Sequence, residues 1–337
     1  MDKTLKVGLV GVGAIGRTHI DRINRKLSGA KVIACADVNA EFCRSVAEKY
    51  ALKAYETGEE MIAAPDVDAV VVTTLDPFHA QYVLAAIAAG KPIFCEKPLA
   101  PEASVCRKIV DAEMASGKHL VQVGFMRRYD AGYMQLKEAL QSGKYGAPLL
   151  LHCAHRNPGV PDNYDTPMEV ENSMIHEIDV LRWLLGEDYA TAEVRFGKKC
   201  RRARANLQDP QVMILTTKSG VRIDVEAFVT TGHCYQIKCE VVCEDGILNL
   251  PESPTINVCA GANVGHAIDA DWSTRFADAY NTEFQQWINA TKEGRVDGPT
   301  AWDGYAGQVA AAAASRARDT QSVVSIAYDP MPDFYKS

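Results

Sequence analysis

The chain has 337 residues, enough for two domains and a sizeable core, and its 47% hydrophobic and 23% charged content is ordinary for a soluble globular protein. A net charge of −7 weighs against nucleic acid or an anionic membrane as a main partner. The start, MDKTLK, leads straight into an apolar run without a signal-peptide pattern, and no apolar stretch is long enough to span a bilayer, so a cytoplasmic protein is expected.

The first pattern in chain order is LKVGLVGVGAIGRTHIDRINRKLSGAKVIACAD, residues 5–37. It reads as strand, glycine turn, amphipathic helix, strand and acid. Gly11, Gly13 and Gly16 have the spacing G-x-G-x-x-G, and the acid, Asp37, stands about 20 residues further on. Physically, Gly11 allows the sharp turn, Gly13 lets backbone approach a pyrophosphate, and Gly16 lets the helix sit close to the sheet. The helix start at Ala14 and Ile15 offers N–H groups and a positive dipole end to phosphate. A carboxylate at Asp37 accepts hydrogen bonds from adenosine ribose hydroxyls and repels a 2′-phosphate; Val38 and Asn39 follow it rather than an arginine, which favours NAD over NADP.

Strand and helix patterns then alternate. A helix is expected over residues 40–50, a short extended piece over 53–55, a helix over 58–63 and a β-branched strand over 68–74. Pro77 opens a helix to residue 89, followed by a strand over 92–95, a helix over 102–116 closed by Gly117, and a strand over 119–124. This alternation implies a doubly wound parallel sheet, a Rossmann-type dinucleotide-binding domain over 1–124. Its cofactor lies at the carboxyl ends of the strands, which assigns Thr74, Leu75, Pro77 and His79 after one strand, and Glu96 and Lys97 after another, to the cofactor site.

From 125 to 337 the pattern changes to an α+β domain with a large, mainly antiparallel, open-faced sheet. Helices are expected over 131–142, 171–185, 282–292 and 302–316. Strands are expected over 149–155, 191–196, 211–217, 221–229, 235–244 and 247–250. The ten cysteines are scattered without a C-x-x-C pair, and several sit in apolar strand patterns, as reduced, core-filling residues do. Cys234, Cys239 and Cys243 lack structural zinc spacing, and no metal site is expected.

Two further stretches carry chemistry. Lys97 follows a buried strand and precedes Pro98, which holds it extended at the cofactor end of the sheet; the plain alternative is a solvated loop lysine. In Asn172-x3-His176 the two side chains share a face of the expected 171–185 helix, with Asp179 beside them. His176 near a helix start is biased to the neutral form, as a base requires, although a histidine between Ile175 and Ile178 also fits a core position.

Together Gly11, Gly13 and Gly16, the triplet Glu96-Lys97-Pro98 and the Asn172-x3-His176 spacing resemble the Gfo/Idh/MocA oxidoreductase family. GFMRRYD (124–130), HRNP (155–158), IHEIDVLRWLLGE (175–187) and GPTAWDGY (298–305) resemble its inositol-oxidising members, and the likeness covers nearly the whole chain. The resemblance implies NAD-dependent oxidation of the axial hydroxyl of myo-inositol to 2-keto-myo-inositol (scyllo-inosose). It implies Lys97 at substrate and nicotinamide, His176 as general base, and a polyol pocket with Arg127, His155, Asn157 and Tyr235. It further implies a cis peptide before Pro98 and a homotetramer that packs open sheet faces together. The sequence departs from the family in having Asn172 where an aspartate is usual, which leaves Asp179 as a substitute acid. Other polyols (scyllo-inositol, a hexose, another cyclitol) and a catalytically silent NAD-binding regulator are the competing readings.

Overall fold

Alternating β-branched runs and amphipathic segments build the first part of the computed structural model, which describes residues 4–251 and 256–336. The chain packs into two compact units, residues 1–125 with 280–308 and 329–337, and residues 126–279 with 309–328.

In the first unit β1 (Leu5–Val10), α1 (Ala14–Arg25), β2 (Ala30–Ala36), α2 (Ala40–Tyr50), β3 (Lys53–Ala54), α3 (Gly58–Ala63), β4 (Ala69–Val72), α4 (His79–Ala88), β5 (Ile93–Glu96), α5 (Ala103–Ser116) and β6 (Val121–Gly124) follow one another. The strands form one parallel sheet in the order β3-β2-β1-β4-β5-β6. The order reverses between β1 and β4, which makes the ends of those strands the switch point. Residues of β4 and β5 are buried throughout, as strands covered on both faces must be. Local chemistry sets the helix ends. Asn39 and Thr57 side chains accept N–H groups of Phe42 and Glu60 to start α2 and α3, and Gly117 takes the left-handed conformation that ends α5. Asp76–Phe78 form a 3₁₀ turn ahead of α4, so Pro77 opens the turn and not the α-helix itself.

The second unit starts with α6 (Ala131–Gln141), β7 (Pro148–Arg156), the single turn α7 (Thr166–Met168) and α8 (Ile175–Leu185). Then come β8 (Tyr189–Phe196), β9 (Gln211–Thr217), β10 (Arg222–Phe228), β11 (Gln236–Cys243), β12 (Ile247–Asn249), the hairpin β13 (Asn257–Ala260) and β14 (Asn263–His266), and α9 (Trp272–Arg275). The chain closes with α10 (Ala277–Lys292), α11 (Ala301–Thr320) and β15 (Val324–Ser325). A seven-stranded sheet runs β12-β11-β7-β10-β9-β8-β15. It is antiparallel except at its centre, where β7 and β10 are parallel, a pairing that period-2 alternation does not reveal. Ile223, Val225 and Ala227 of β10 are buried, whereas Asp224 and Glu226 between them are partly exposed and pair with His152 and Arg156 of β7. One face of the sheet is thus apolar and covered, the other polar and partly open.

The expected continuous helix over 171–185 is a correction. Glu169–Ser173 form a π-turn, closed by the Met174 N–H donating to the Glu169 carbonyl at 2.9 Å, and α8 begins only at Ile175. The buried Glu169 carboxylate is fixed from outside the helix by Gln211, through its backbone N–H (3.2 Å) and side-chain amide (2.9 Å), and the wider turn accommodates that anchor. Among the described residues no helix is long and apolar enough to cross a membrane, and no group of three or more His, Cys, Asp or Glu side chains could hold a metal ion. All ten cysteines are free.

Candidate active site

The glycine turn after β1 is built by close approach. Gly11 has φ +91°, and a Cβ on Gly16 would stand 2.1 Å from the Gly11 carbonyl oxygen. Thr73, just past β4, donates its hydroxyl to that same carbonyl at 2.6 Å and so ties the turn to the switch point. Sequence reasoning passed over Thr73 in favour of Thr74; the β-branched run VVVTT gives no sign of which threonine turns inward. A Cβ on Gly13 would meet nothing within 4 Å, leaving the backbone open there. Helix α1 starts at Ala14 with no side-chain cap and no acid in its first turn. Its first N–H groups, those of Ala14, Ile15 and Gly16 among them, have no intrahelical acceptor and suit an anion.

Asp37, just past β2, accepts the Val12 N–H at 2.8 Å through Oδ2 and the Asn39 N–H at 2.9 Å through Oδ1. The carboxylate is thereby locked beside the glycine turn, with lone pairs left on both oxygens for ribose hydroxyls. Open backbone at Gly13, an uncapped helix start and a fixed acid fit a dinucleotide.

Lys97 follows β5, is half-buried, and its bond to Pro98 is cis. The Lys97 N–H donates to Glu96 Oε2 at 3.2 Å. His79 is buried, with Nδ1 2.6 Å from the Pro98 carbonyl oxygen and Nε2 3.1 Å from that of Thr74. Each ring nitrogen faces a backbone carbonyl, so His79 stands between the turns after β4 and β5. Leu75 is largely exposed beside it, and Pro77 lies in the 3₁₀ turn.

In the second unit Arg127 and His155 meet over Glu177, a residue the sequence reading did not single out. Arg127 donates to Glu177 Oε1. His155 Nδ1 lies 3.0 Å from Glu177 Oε2 and 3.2 Å from Arg127 Nη2. All three are buried. Nδ1 stands between a carboxylate that only accepts and a guanidinium that only donates, and the ring's tautomer decides which of the two it serves. Burial raises the Glu177 pKa, but the Arg127 charge and then His155 outweigh it and hold the carboxyl down at about 2. The Tyr235 ring stands edge-on to His155, centroids 6.0 Å apart. Burial pushes the Tyr235 phenol up to about 12, so it stays a protonated donor. Asn157 Oδ1 is buried with no hydrogen-bond partner among the described residues.

His176 is the second residue of α8 and is buried; Asn172 sits in the π-turn before it. The two are therefore not successive positions on one regular α-helical face. Arg128 grips Asp179, with Nε at 2.9 Å from Oδ2 and Nη2 at 2.5 Å from Oδ1.

Family models match both halves of the chain, an oxidoreductase family with an NAD-binding Rossmann fold over residues 5–125 and the same family's C-terminal α/β domain over 137–326. The chain belongs to the Gfo/Idh/MocA oxidoreductase family. It is 52% identical to an inositol 2-dehydrogenase of Burkholderia cenocepacia, with 99% of each chain covered. It is 50% identical to one of Klebsiella pneumoniae, again over 99% of each. Among solved structures it resembles a myo-inositol dehydrogenase from Lactobacillus casei in complex with NAD(H) and myo-inositol, with TM-score 0.96 and 40% identity over 98% of this chain and 99% of that one. An apo scyllo-inositol dehydrogenase from the same organism gives TM-score 0.88 and 25% identity, over 97% and 100% of the two chains.

Proposed function

We propose that this enzyme is an NAD-dependent inositol 2-dehydrogenase that oxidises the axial hydroxyl of myo-inositol to 2-keto-myo-inositol. The observation that carries the reading is the 40% identity, over nearly all of both chains, to an enzyme solved with NAD(H) and myo-inositol, against 25% for the scyllo-inositol enzyme. The cofactor, when bound, accepts the hydride. Gly11, Gly13, Ala14, Ile15 and Gly16 hold its pyrophosphate, and Asp37 its adenosine ribose. His176 takes the hydroxyl proton as general base, and the Lys97 ammonium stabilises the developing alkoxide. Arg127, His155, Asn157 and Tyr235 bind the other hydroxyls. The buried Asn157 oxygen is an acceptor that a substrate hydroxyl satisfies. Asn172 orients His176 without supplying charge.

The half-open sheet face of the second unit supports assembly into a homotetramer, and ten free cysteines support a cytoplasmic setting. Light scattering on the purified protein checks the assembly, and a monomer mass contradicts it. Initial NADH formation with a panel of myo-inositol, scyllo-inositol and hexoses tests the substrate. The largest kcat/KM falls on myo-inositol. A larger value on another polyol overturns the choice of substrate, and no turnover on any of them points to a silent NAD-binding regulator.

A further inference from the structure

The first unit buries an ionic chain that the proposed chemistry leaves unused. His19, on α1, is fully buried, with its ring 4.4 Å from that of Phe284 and 5.7 Å from that of Tyr280. Its Nε2 lies 2.8 Å from Glu96 Oε1. One turn along α1, Arg22 Nη1 donates to His19 Nδ1. Arg22 Nε donates to Asn281 Oδ1 at 3.1 Å, and the guanidinium carbon stands 4.8 Å from the Tyr280 ring centroid. At the other end Glu96 Oε2 accepts the Lys97 N–H. Gly124 on β6 leaves room for that oxygen, since a Cβ there would stand 3.2 Å from it.

Donor and acceptor types fix the direction of the chain. A guanidinium only donates and a carboxylate only accepts, so the ring between them accepts at Nδ1 and donates at Nε2. Burial lowers the pKa of His19, which keeps the ring neutral in that single tautomer. For Glu96 burial acts in the opposite direction, but the His19 hydrogen bond, with the Lys97 charge beside it, holds the carboxyl below its usual range. Tyr280, Glu283 and Cys95 are further ionisable groups beside this chain. Burying an arginine, a histidine and a glutamate is unfavourable unless every polar atom finds a partner. Apolar residues could fill the same volume, so the arrangement calls for a reason beyond packing, and it ends on the peptide of Lys97.

We propose that His19 and Arg22 are positioning residues that act through Glu96, fixing its carboxylate so that the Lys97 peptide, and with it the ammonium group, is held in one orientation. This rests on the role given to Lys97 above. In the full-length protein His19→Ala lowers kcat on myo-inositol roughly tenfold or more, while KM for NAD stays within about twofold. His19→Gln, whose amide nitrogen replaces the Nε2 donor, recovers most of the loss. Glu96→Gln lowers kcat similarly, and the double variant His19→Ala/Glu96→Gln is no worse than the poorer single variant, because both cut one chain. A folded His19→Ala enzyme with wild-type kcat overturns the proposal, as does failure of glutamine to rescue, or losses that multiply in the double variant. If His19→Ala does not fold, wild-type kcat in Glu96→Gln overturns it. If the wild type oxidises no inositol, the substrate reading fails, and ¹⁵N spectra of the imidazole rings decide the relay separately. A His19 ring protonated at Nε2 alone, with its signals moved in Glu96→Gln, supports it; a ring protonated at both nitrogens, or unmoved by Glu96→Gln, overturns it.

Discussion

The two units each bury an arginine, a histidine and a glutamate, and the two sets are wired differently. In the first unit the groups run in series, Arg22 to His19 to Glu96, and the second carboxylate oxygen is left for the Lys97 N–H. In the second unit they close a triangle, Arg127 to Glu177 directly, with His155 against both. A triangle neutralises the Arg127 charge within itself. A series passes the influence of one end to the other. On the roles proposed above, the same three residue types serve one unit as a rigid polar lining and the other as a strut behind a reactive side chain.

The comparison breaks most readily at the triangle. Glu177→Gln leaves the buried Arg127 without its counter-charge, which costs about 3–5 kcal/mol of stability. Glu96→Gln keeps one acceptor oxygen and turns an NH2 donor towards the other partner, but leaves no buried charge uncompensated, and costs about 1–3 kcal/mol. Urea unfolding of the two variants separates them, and equal losses would show that the wiring is immaterial. On the kinetic side the order reverses. Lys97→Ala lowers kcat about 10²–10³-fold, or roughly 3–4 kcal/mol, with NAD affinity nearly intact and stability little changed because the side chain is only half-buried. A near-normal kcat would make Lys97 a loop residue.

Stability against pH sharpens the contrast further. Glu177, held at about 2 against a usual 4.5, stabilises the fold above pH 4.5, and this contribution is lost as pH falls towards 2. Glu169 works in the opposite sense. Burial, then the nearby Asp209 charge, push it up to about 9. The folded state therefore binds the extra proton between 4.5 and 9, and stability falls as pH rises through that window, by at most about 1.4 kcal/mol per pH unit. Glu169→Gln should flatten this slope in urea titrations at pH 5 to 9; an unchanged slope would place the titration elsewhere. The smallest effect is expected at Asn172. Its replacement by aspartate gives His176 a charged partner and raises kcat about tenfold at neutral pH. A raised KM with an unmoved pH–rate profile would instead mean that Asn172 binds a substrate hydroxyl.

The parallel sheet of the first unit was legible in the sequence because its signals are local, whereas the grouping of residues 280–308 and 329–337 with it, beyond the expected boundary at 124, was not. G-x-G-x-x-G, the doubly buried VVV run and the helix stop at Gly117 each act within a few residues, and α2 and α3 begin and end where expected. The second sheet was legible as alternation. Its parallel β7–β10 pair was not, since it joins residues more than seventy positions apart and period 2 carries no direction. The π-turn escaped because its cause, Gln211 anchoring Glu169, lies forty-two residues away. The Arg128 partner of Asp179 escaped for the same reason, being fifty-one residues distant. Glu177 was hidden by standing next to His176; nothing local distinguishes an acid that organises Arg127 and His155 from one on a solvated helix face.

The central claim, hydride transfer from one carbon of myo-inositol to NAD, is tested most directly with myo-inositol carrying deuterium at C2. Incubation with NAD should give reduced cofactor that holds the deuterium on its nicotinamide ring, together with 2-keto-myo-inositol free of label at C2, by mass spectrometry and NMR of both products. Reduced cofactor without deuterium, or a ketone at another carbon, would contradict the account.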